Sequence, residues 1–134
     1  MRIIGKKCEG IICRELEKQI VGWEEELEKY MDEIEKIRRE EEEEKTEADV
    51  ISDFLEGVLG IRRTQSLVGS KWETDEYVSQ VTWGGPNVWI CTDGRRGWIE
   101  AYWGSEYMKA ELSDKASRFL SEVFEYMREL EELG

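Results

Sequence analysis

Residues 77–112 read YVSQVTWGGPNVWICTDGRRGWIEAYWGSEYMKAEL, and this stretch decides the fold. It consists of short runs rich in Val, Ile, Thr, Tyr and Trp, in which polar and apolar residues alternate as they do in half-buried strands. Turn-forming residues separate the runs, first Gly84-Gly85-Pro86 and then Asp93-Gly94, which is a strong hairpin signal. The stretch therefore predicts an antiparallel meander, with strands at Tyr77–Trp83, Val88–Thr92, Trp98–Trp103 and Tyr107–Leu112.

One more run of strand-forming residues comes before this stretch. Ile61–Val68 ends at Gly69-Ser70, so the meander is expected to have four or five strands. The first eight residues are mixed in character, and we expect them to form only an extended arm.

A long helix is predicted ahead of the sheet, over residues 9–45. Its apolar residues recur at alternating steps of three and four, which is the a/d pattern of a coiled coil. Such a narrow stripe packs against one other helix, either the C-terminal helix of the same chain or a copy of itself. Because an uncovered stripe would expose more apolar surface than a monomer tolerates, a homodimer is favoured. The dimer seam would consist of Leu16, Ile20, Trp23, Leu27, Tyr30, Ile34 and Ile37.

Two shorter helices complete the expected fold. The segment from Thr46 to Asp49 has the residues of a capping box, which predicts a helix over residues 47–59. Ser113-Asp114 would begin a last helix over 113–133, whose apolar stripe includes Phe119. The fold class is thus α+β in a single domain, 1–134: an antiparallel four- or five-stranded meander over 61–112, packed by helices, with a long N-terminal coiled-coil-type helix.

Charge limits the kind of partner. The 134 residues include 32 Asp and Glu but only 19 Lys and Arg, which gives a formal net charge of −13. Such a surface repels phosphate, so nucleic acid is an unfavoured partner, whereas a basic protein would be attracted. Glu and Lys are abundant and His is absent, a balance typical of thermophiles. The chain is therefore expected to be an acidic protein that binds a second protein of unknown identity.

Cysteine count and hydropathy indicate the compartment. The chain has three cysteines, at Cys8, Cys13 and Cys91. This odd number argues against a disulfide framework and predicts buried thiols. No apolar run is long enough to cross a bilayer, and no charged-then-apolar leader is seen. A cytoplasmic protein without membrane contact is expected.

Residue types that carry catalysis are scarce. The absence of His removes Ser-His and Cys-His pairs as well as the commonest general base. A divalent metal would need two or three converging carboxylates from the sheet region, where the acids are Asp75, Glu76, Asp93, Glu100 and Glu106. The expectation is a non-enzymatic protein without cofactor or metal, and a carboxylate-metal hydrolase is an alternative.

Tryptophan is the unusual feature. Of six Trp residues, five fall within the sheet region, and the five-residue step from Trp98 to Trp103 places these two on opposite faces of one strand. If helices cover one face only, the other presents aromatic rings, which commonly anchor protein partners. The candidate partner-binding residues are Trp83, Trp89, Trp98, Trp103, Arg95 and Arg96.

Two other interpretations of these residues stay open. Most of the Trp side chains would be core in a two-layer fold, which needs bulky residues. Alternatively, exposed rings beside arginine side chains would stack with single-stranded nucleic acid, which defines a nucleic-acid-binding regulator. The arginines concerned are Arg62, Arg63, Arg95 and Arg96.

The segment from Val81 to Leu130 resembles a group of small uncharacterised proteins of phages, plasmids and archaeal viruses. The resemblance rests on Trp83-Gly84-Gly85-Pro86 between two strands, the aromatic strand that ends at Trp103, and the acidic helix that opens at Ser113-Asp114. It covers residues 81–130 and leaves the long first helix outside. What it implies is an origin in a mobile element or virus, in a thermophilic archaeon. The partner is then expected to be a host or viral protein in the cytoplasm of the host cell. It implies no activity and no site residues.

Overall fold

A computed structural model of the chain describes residues 1–41, 44–82 and 85–133. These residues form an α+β fold of three helices and one antiparallel sheet of six strands, in the order β1-β6-β5-β4-β3-β2. The elements in chain order are β1 (Arg2–Lys7), α1 (Gly10–Arg38), α2 (Glu47–Glu56), β2 (Gly60–Val68), β3 (Lys71–Thr82), β4 (Asn87–Thr92), β5 (Gly97–Trp103), β6 (Glu106–Glu111) and α3 (Asp114–Leu133).

The sheet has six strands where four or five were predicted. The additional one is β1, formed by the residues that were expected to be an arm, and it pairs antiparallel with β6 at the sheet edge. A bulge between Ile3 and Gly5 interrupts this pairing. β3 also begins six residues before the predicted strand, so it forms a long hairpin with β2.

Helices α1 and α3 cover one face of the sheet, which we call the inner face. Aliphatic side chains from alternate positions of three neighbouring strands form the centre of this face, as the two-residue period requires. They are Val88 and Ile90 of β4, Ile99 and Ala101 of β5, and Met108 and Ala110 of β6. The opposite side of the sheet is called the outer face.

The seam of α1 lies against the chain's own sheet and α3. Leu16, Ile20, Leu27 and Ile34 have no exposed surface, and Trp23, Tyr30 and Ile37 are half-buried. Of the two predicted partners for this stripe, the structure provides the helix of the same chain. The predicted dimer seam is therefore not free to meet a second copy, and the homodimer stays a prediction that needs another surface.

The buried stripe of α1 also departs from a heptad repeat. The fifth fully covered residue is Met31, not its neighbour Tyr30 of the predicted seam. From Leu16 to Ile34 the stripe therefore follows the 3.6-residue period of a straight helix, since the 3.5-residue period belongs to a supercoil. The helix ends at Arg38, where 45 was predicted.

The predicted capping box of α2 is confirmed. The Thr46 hydroxyl accepts a hydrogen bond from the Asp49 N–H at 3.2 Å, and the Asp49 carboxylate accepts one from the Thr46 N–H at 2.9 Å. Two otherwise unpaired N–H groups at the start of the helix are thereby satisfied.

Cys8 and Cys13 form a disulfide, with their Cα atoms 5.2 Å apart. The prediction of three buried thiols is therefore wrong for this pair, and only Cys91 is a free, buried thiol. The bond joins the end of β1 to the first turn of α1, where Glu9 supplies no side-chain cap. It thus fixes a helix start that lacks the usual hydrogen bond.

Helix α1 ends in a Schellman motif that contains an unfavourable residue. The Glu40 N–H donates to the Ile37 carbonyl and the Glu41 N–H donates to the Lys36 carbonyl, both at 3.0 Å. Glu40 has φ of 60°, in the left-handed region that favours glycine. The acidic run continues into Glu42 and Glu43, which lie outside the described residues.

Glu40→Gly is expected to raise the free energy of unfolding by about 1 kcal/mol, because glycine adopts this conformation without steric cost. Denaturant unfolding of the variant and of Glu40→Gln measures the effect. The Gln variant removes the same charge but keeps the side chain, so an equal gain in both variants would attribute the effect to charge.

Within the described residues, no helix is both long enough and apolar enough to span a membrane.

Candidate functional site

The outer face is the candidate site because none of the described helices packs on it. Alternation along β4, β5 and β6 brings aromatic and charged side chains to this side, while the aliphatic ones point to the inner face. The centre of the outer face consists of Trp89, Cys91, Trp98, Glu100, Tyr102, Tyr107 and Lys109. All of these side chains are half-buried except the thiol of Cys91, which is buried.

Two tryptophans lie at the middle of this face. Trp89 pairs with Glu100 and Trp98 pairs with Cys91, so the two indoles are diagonal neighbours on adjacent strands. The Arg62 guanidinium lies 5.1 Å from the Trp89 ring centroid, and the Lys109 ammonium lies 5.9 Å from that of Trp98. Each indole therefore has a cation over its ring, which limits its movement.

Glu100 connects the aromatic and the thiol parts of the face. Its carboxylate accepts a hydrogen bond from the Tyr102 hydroxyl at 2.5 Å, and the Cys91 sulfur lies 3.6 Å away. Burial, the hydrogen bond to Glu100 and the Glu100 charge together raise the pKa of Tyr102 to about 12. Burial, followed by the Glu100 charge, also raises the pKa of Cys91 well above its usual value. Because thiolate is the reactive form, Cys91 is unsuited to act as a nucleophile at neutral pH.

Two cavities open on the outer face. One of about 400 Å³ is bordered by Trp98, together with Ile4, Glu76, Asp93, Lys109 and Glu111. The other, of about 390 Å³, is bordered by Trp89, together with Arg62, Val78, Asn87, Glu100 and Tyr102. The buried Asn87 Oδ1 finds no hydrogen-bond donor among the described residues.

The structure brings some of the predicted partner-binding residues together and separates others. Trp89 and Trp98 share the outer face, and Arg96 borders the Trp98 cavity. Trp103 is 44% exposed but lies on the opposite side of β5, as the five-residue step predicts. Trp83 lies outside the described residues.

Two of the four arginines proposed for phosphate contact are paired with acids. Arg63 forms an ion pair with Glu131 at 2.6 Å, and Arg96 lies 3.6 Å from the carboxylate of Asp93. Asp93 also accepts hydrogen bonds from the N–H groups of Arg95 and Arg96, as its predicted turn requires. Within the turn, the Asp93 carboxylate thus offsets one of the two arginine charges.

The strand carboxylates do not form a metal site in the described part of the chain. Asp75, Glu76 and Asp93 border one cavity, whereas Glu100 lies toward the other. Within residues 1–41, 44–82 and 85–133, no three His, Cys, Asp or Glu side chains are placed to hold a metal ion.

Several residues of the outer face were not predicted from the sequence. Tyr102, Tyr107 and Lys109 were assigned no role, although Tyr102 lies four residues from Trp98 on the same strand and therefore on the same face. The two-residue period would have placed Tyr102 on this face. Arg62 was named only as a possible nucleic-acid contact, and its position over Trp89 could not be predicted because that contact crosses β3.

A second polar cluster holds the end of α3 against the β2–β3 hairpin. The Glu131 carboxylate accepts hydrogen bonds from the Tyr77 hydroxyl at 2.6 Å and the Thr74 hydroxyl at 3.1 Å, and it also pairs with Arg63. Burial tends to raise the pKa of Glu131, but the three hydrogen-bond donors lower it overall.

The Tyr77 side chain should make the free energy of unfolding fall with rising pH in the alkaline range. Burial, and then the hydrogen bond to Glu131, raise the pKa of Tyr77 from 10.0 to about 12. Its contribution is complete below the unfolded-state pKa and is lost as pH rises through the folded-state pKa. Unfolding free energies of the wild type and Tyr77→Phe, measured from neutral to strongly alkaline pH, should therefore differ by a constant below about pH 10. Above it the difference should shrink, and a constant difference throughout would contradict the assignment.

Comparison with known proteins gives no match to any family model, curated protein or solved structure.

Proposed function

We propose that this chain is a non-enzymatic binding protein that presents its outer face to a partner protein. The observation that carries the proposal is the pair Trp89 and Trp98, held under cations on the one sheet face that no described helix covers. Half-buried aromatic rings in a rigid setting make the best anchors for a protein partner, because little side-chain entropy is lost on binding.

Charge favours a protein over nucleic acid as the partner. The two cavities of the outer face are bordered by three cations, Arg62, Arg96 and Lys109, and by more carboxylates than cations, namely Asp75, Glu76, Asp93, Glu100 and Glu111. A phosphate chain needs an excess of positive charge, while the chain as a whole carries −13. A protein with both donors and acceptors would match this mixed surface better. An origin in a mobile element or virus, implied by residues 81–130, belongs to the same proposal.

The raised pKa of Cys91 supports the non-enzymatic part of the proposal, because the free thiol on this face is held in its unreactive form. A carboxylate-metal hydrolase is less favoured, since the described carboxylates do not converge. A nucleic-acid-binding regulator is the competing proposal, because aromatic rings on an open sheet also stack with bases.

Two Trp variants of the same strand give a matched test. Trp98→Ala removes a ring from the outer face, and Trp103→Ala removes an exposed ring from the other side of β5. Each protein is immobilised and exposed to an extract of the host cell, and the retained proteins are identified. A protein that binds the wild type and Trp103→Ala should bind Trp98→Ala at least about 30-fold more weakly.

Equal retention by both variants would contradict the assignment of the outer face. A mobility-shift assay with single-stranded DNA and RNA at low salt tests the competing proposal. Binding that is lost in Trp98→Ala and weakened by salt would favour nucleic acid over protein as the ligand.

A further inference from the structure

Strand β2 is an open edge. It stands last in the strand order and pairs only with β3, so the N–H and C=O groups along its other side have no strand partner among the described residues. Eight of its nine residues are exposed, and Gln65 is half-buried. A long, exposed edge of this kind is ready to pair with another strand.

The hairpin arm, which we define as residues 64–74, also carries apolar side chains. Leu67 pairs with Trp72 across the two strands, and these side chains are 59% and 66% exposed. Ile61 lies on the same side of β2 as Leu67 and is also exposed. Apolar side chains gathered beside an open edge are typical of an interaction surface.

We propose that β2 pairs antiparallel with β2 of a second copy of this chain, with the two-fold axis at Thr64. The sequence of β2 is self-complementary in this register. Ile61 lies opposite Leu67 of the partner subunit, Arg62 opposite Ser66 of the partner subunit, and Arg63 opposite Gln65 of the partner subunit. Apolar residues meet apolar ones and no like charges face each other directly, as a stable cross-strand pairing requires.

The other edge of the sheet is protected against such pairing. β1 carries Arg2, Lys6 and Lys7 in six residues, and its ladder is broken by the bulge near Ile3. Charges and bulges are the features that prevent edges from joining. On β2 the bulge lies in the neighbouring strand, where Asp75 is the additional residue, so the open edge of β2 stays regular.

The arm is held ready for pairing. Glu131 of α3 binds Arg63, Thr74 and Tyr77 at its base. Asp75 accepts a hydrogen bond from the Ser66 hydroxyl nearer its tip. An edge fixed in this way loses little entropy on association. One pair of strands with its flanking side chains buries an area at the low end for stable interfaces, about 1,000 Å² in total, so we expect a weak dimer.

The dimer goes beyond the proposed function and leaves the outer face open. It would join two sheets edge to edge, so that two outer faces continue side by side. Because each copy carries −13, the dimer should be strengthened by added salt, which screens the repulsion.

Cysteine scanning tests the register in the full-length chain. Thr64→Cys places the introduced thiols of two copies opposite each other, so mild oxidation should give a disulfide-linked dimer. Arg62→Cys alone should form little cross-linked dimer, because position 62 lies opposite position 66 and not opposite itself. A mixture of Arg62→Cys and Ser66→Cys should form a mixed disulfide-linked dimer. The background is low, since Cys8 and Cys13 are bonded and Cys91 is buried. Equal cross-linking by Arg62→Cys and Thr64→Cys would overturn the register.

Sedimentation equilibrium tests the surface itself. The wild type should approach twice the monomer mass of 15.8 kDa as concentration rises. Thr64→Lys places two ammonium groups together at the axis and should raise the dimer Kd at least about tenfold. Ile4→Lys adds the same charge at the exposed β1 edge and should not weaken the dimer. A wild type that stays monomeric, or a dimer indifferent to Thr64→Lys, would overturn the proposal. The proposal would also be overturned if the chain stayed monomeric and its open edge bound only a strand of another protein.

Discussion

Phe119→Ala is expected to lower the free energy of unfolding by about 4 kcal/mol. Phe119 has no exposed surface and lies where the three helices meet. Its ring stacks on Tyr30 of α1 with centroids 5.2 Å apart, and meets Phe54 of α2 edge-to-face at 5.6 Å. Truncation would leave a cavity and also remove two aromatic contacts.

Phe119→Leu is the matched control for this prediction. It keeps most of the apolar volume but loses the ring contacts, so it should cost about 1.5 kcal/mol. Both variants are measured by denaturant unfolding monitored by far-ultraviolet circular dichroism. If the Ala variant cost no more than the Leu variant, the three-ring cluster would not be a centre of the core.

The strands and helix caps could be predicted from sequence because their causes are local. The run Val88–Thr92 alternates, Asp93-Gly94 forms the turn after it, and Thr46 caps α2 with Asp49 three residues further on. In each case the residues that interact are close in the chain, so the pattern contains the whole explanation.

β1 could not be predicted because its partner is far away in sequence. Ile3 pairs with Ala110, and this contact gives an otherwise unpatterned hexapeptide its strand conformation. Gly97 is similar, since the sequence shows only a glycine after a turn. A Cβ at this position would lie 2.6 Å from a methyl carbon of Leu120, so close packing of α3 on β5 explains this glycine.

The outer face was only half visible in the sequence, for a related reason. The alternation of side chains along β5 places Trp98 and Tyr102 on the same face, but alternation does not show which face the helices cover. That choice depends on the apolar stripes of α1 and α3, which match the aliphatic positions Ile99 and Ala101 on the other side of the strand. The same match covers the α1 stripe, for which either the C-terminal helix or a second copy was predicted as the partner, with the second copy favoured.

Leu27→Ala should lower the free energy of unfolding by about 3 kcal/mol, because Leu27 is fully buried in the core beneath the middle of α1. The effect should not depend on protein concentration, since the chain itself covers the stripe. Measurement in the Thr64→Lys background keeps the β2 edge from contributing to the result. Val21→Ala is the control, because Val21 is on the same helix but 37% exposed, and it should cost less than about 0.5 kcal/mol.

A stripe that joined two copies would behave differently from one covered within the chain. The melting temperature would rise with protein concentration, and Leu27→Ala would shift the association equilibrium more than the unfolding of the monomer. Thermal unfolding over a wide range of concentrations distinguishes the two cases. If the melting temperature of Thr64→Lys still rose with protein concentration and that of Leu27→Ala did not, the dimer contact would lie on α1. This result would also show that the helix packing described for the single chain does not persist in solution.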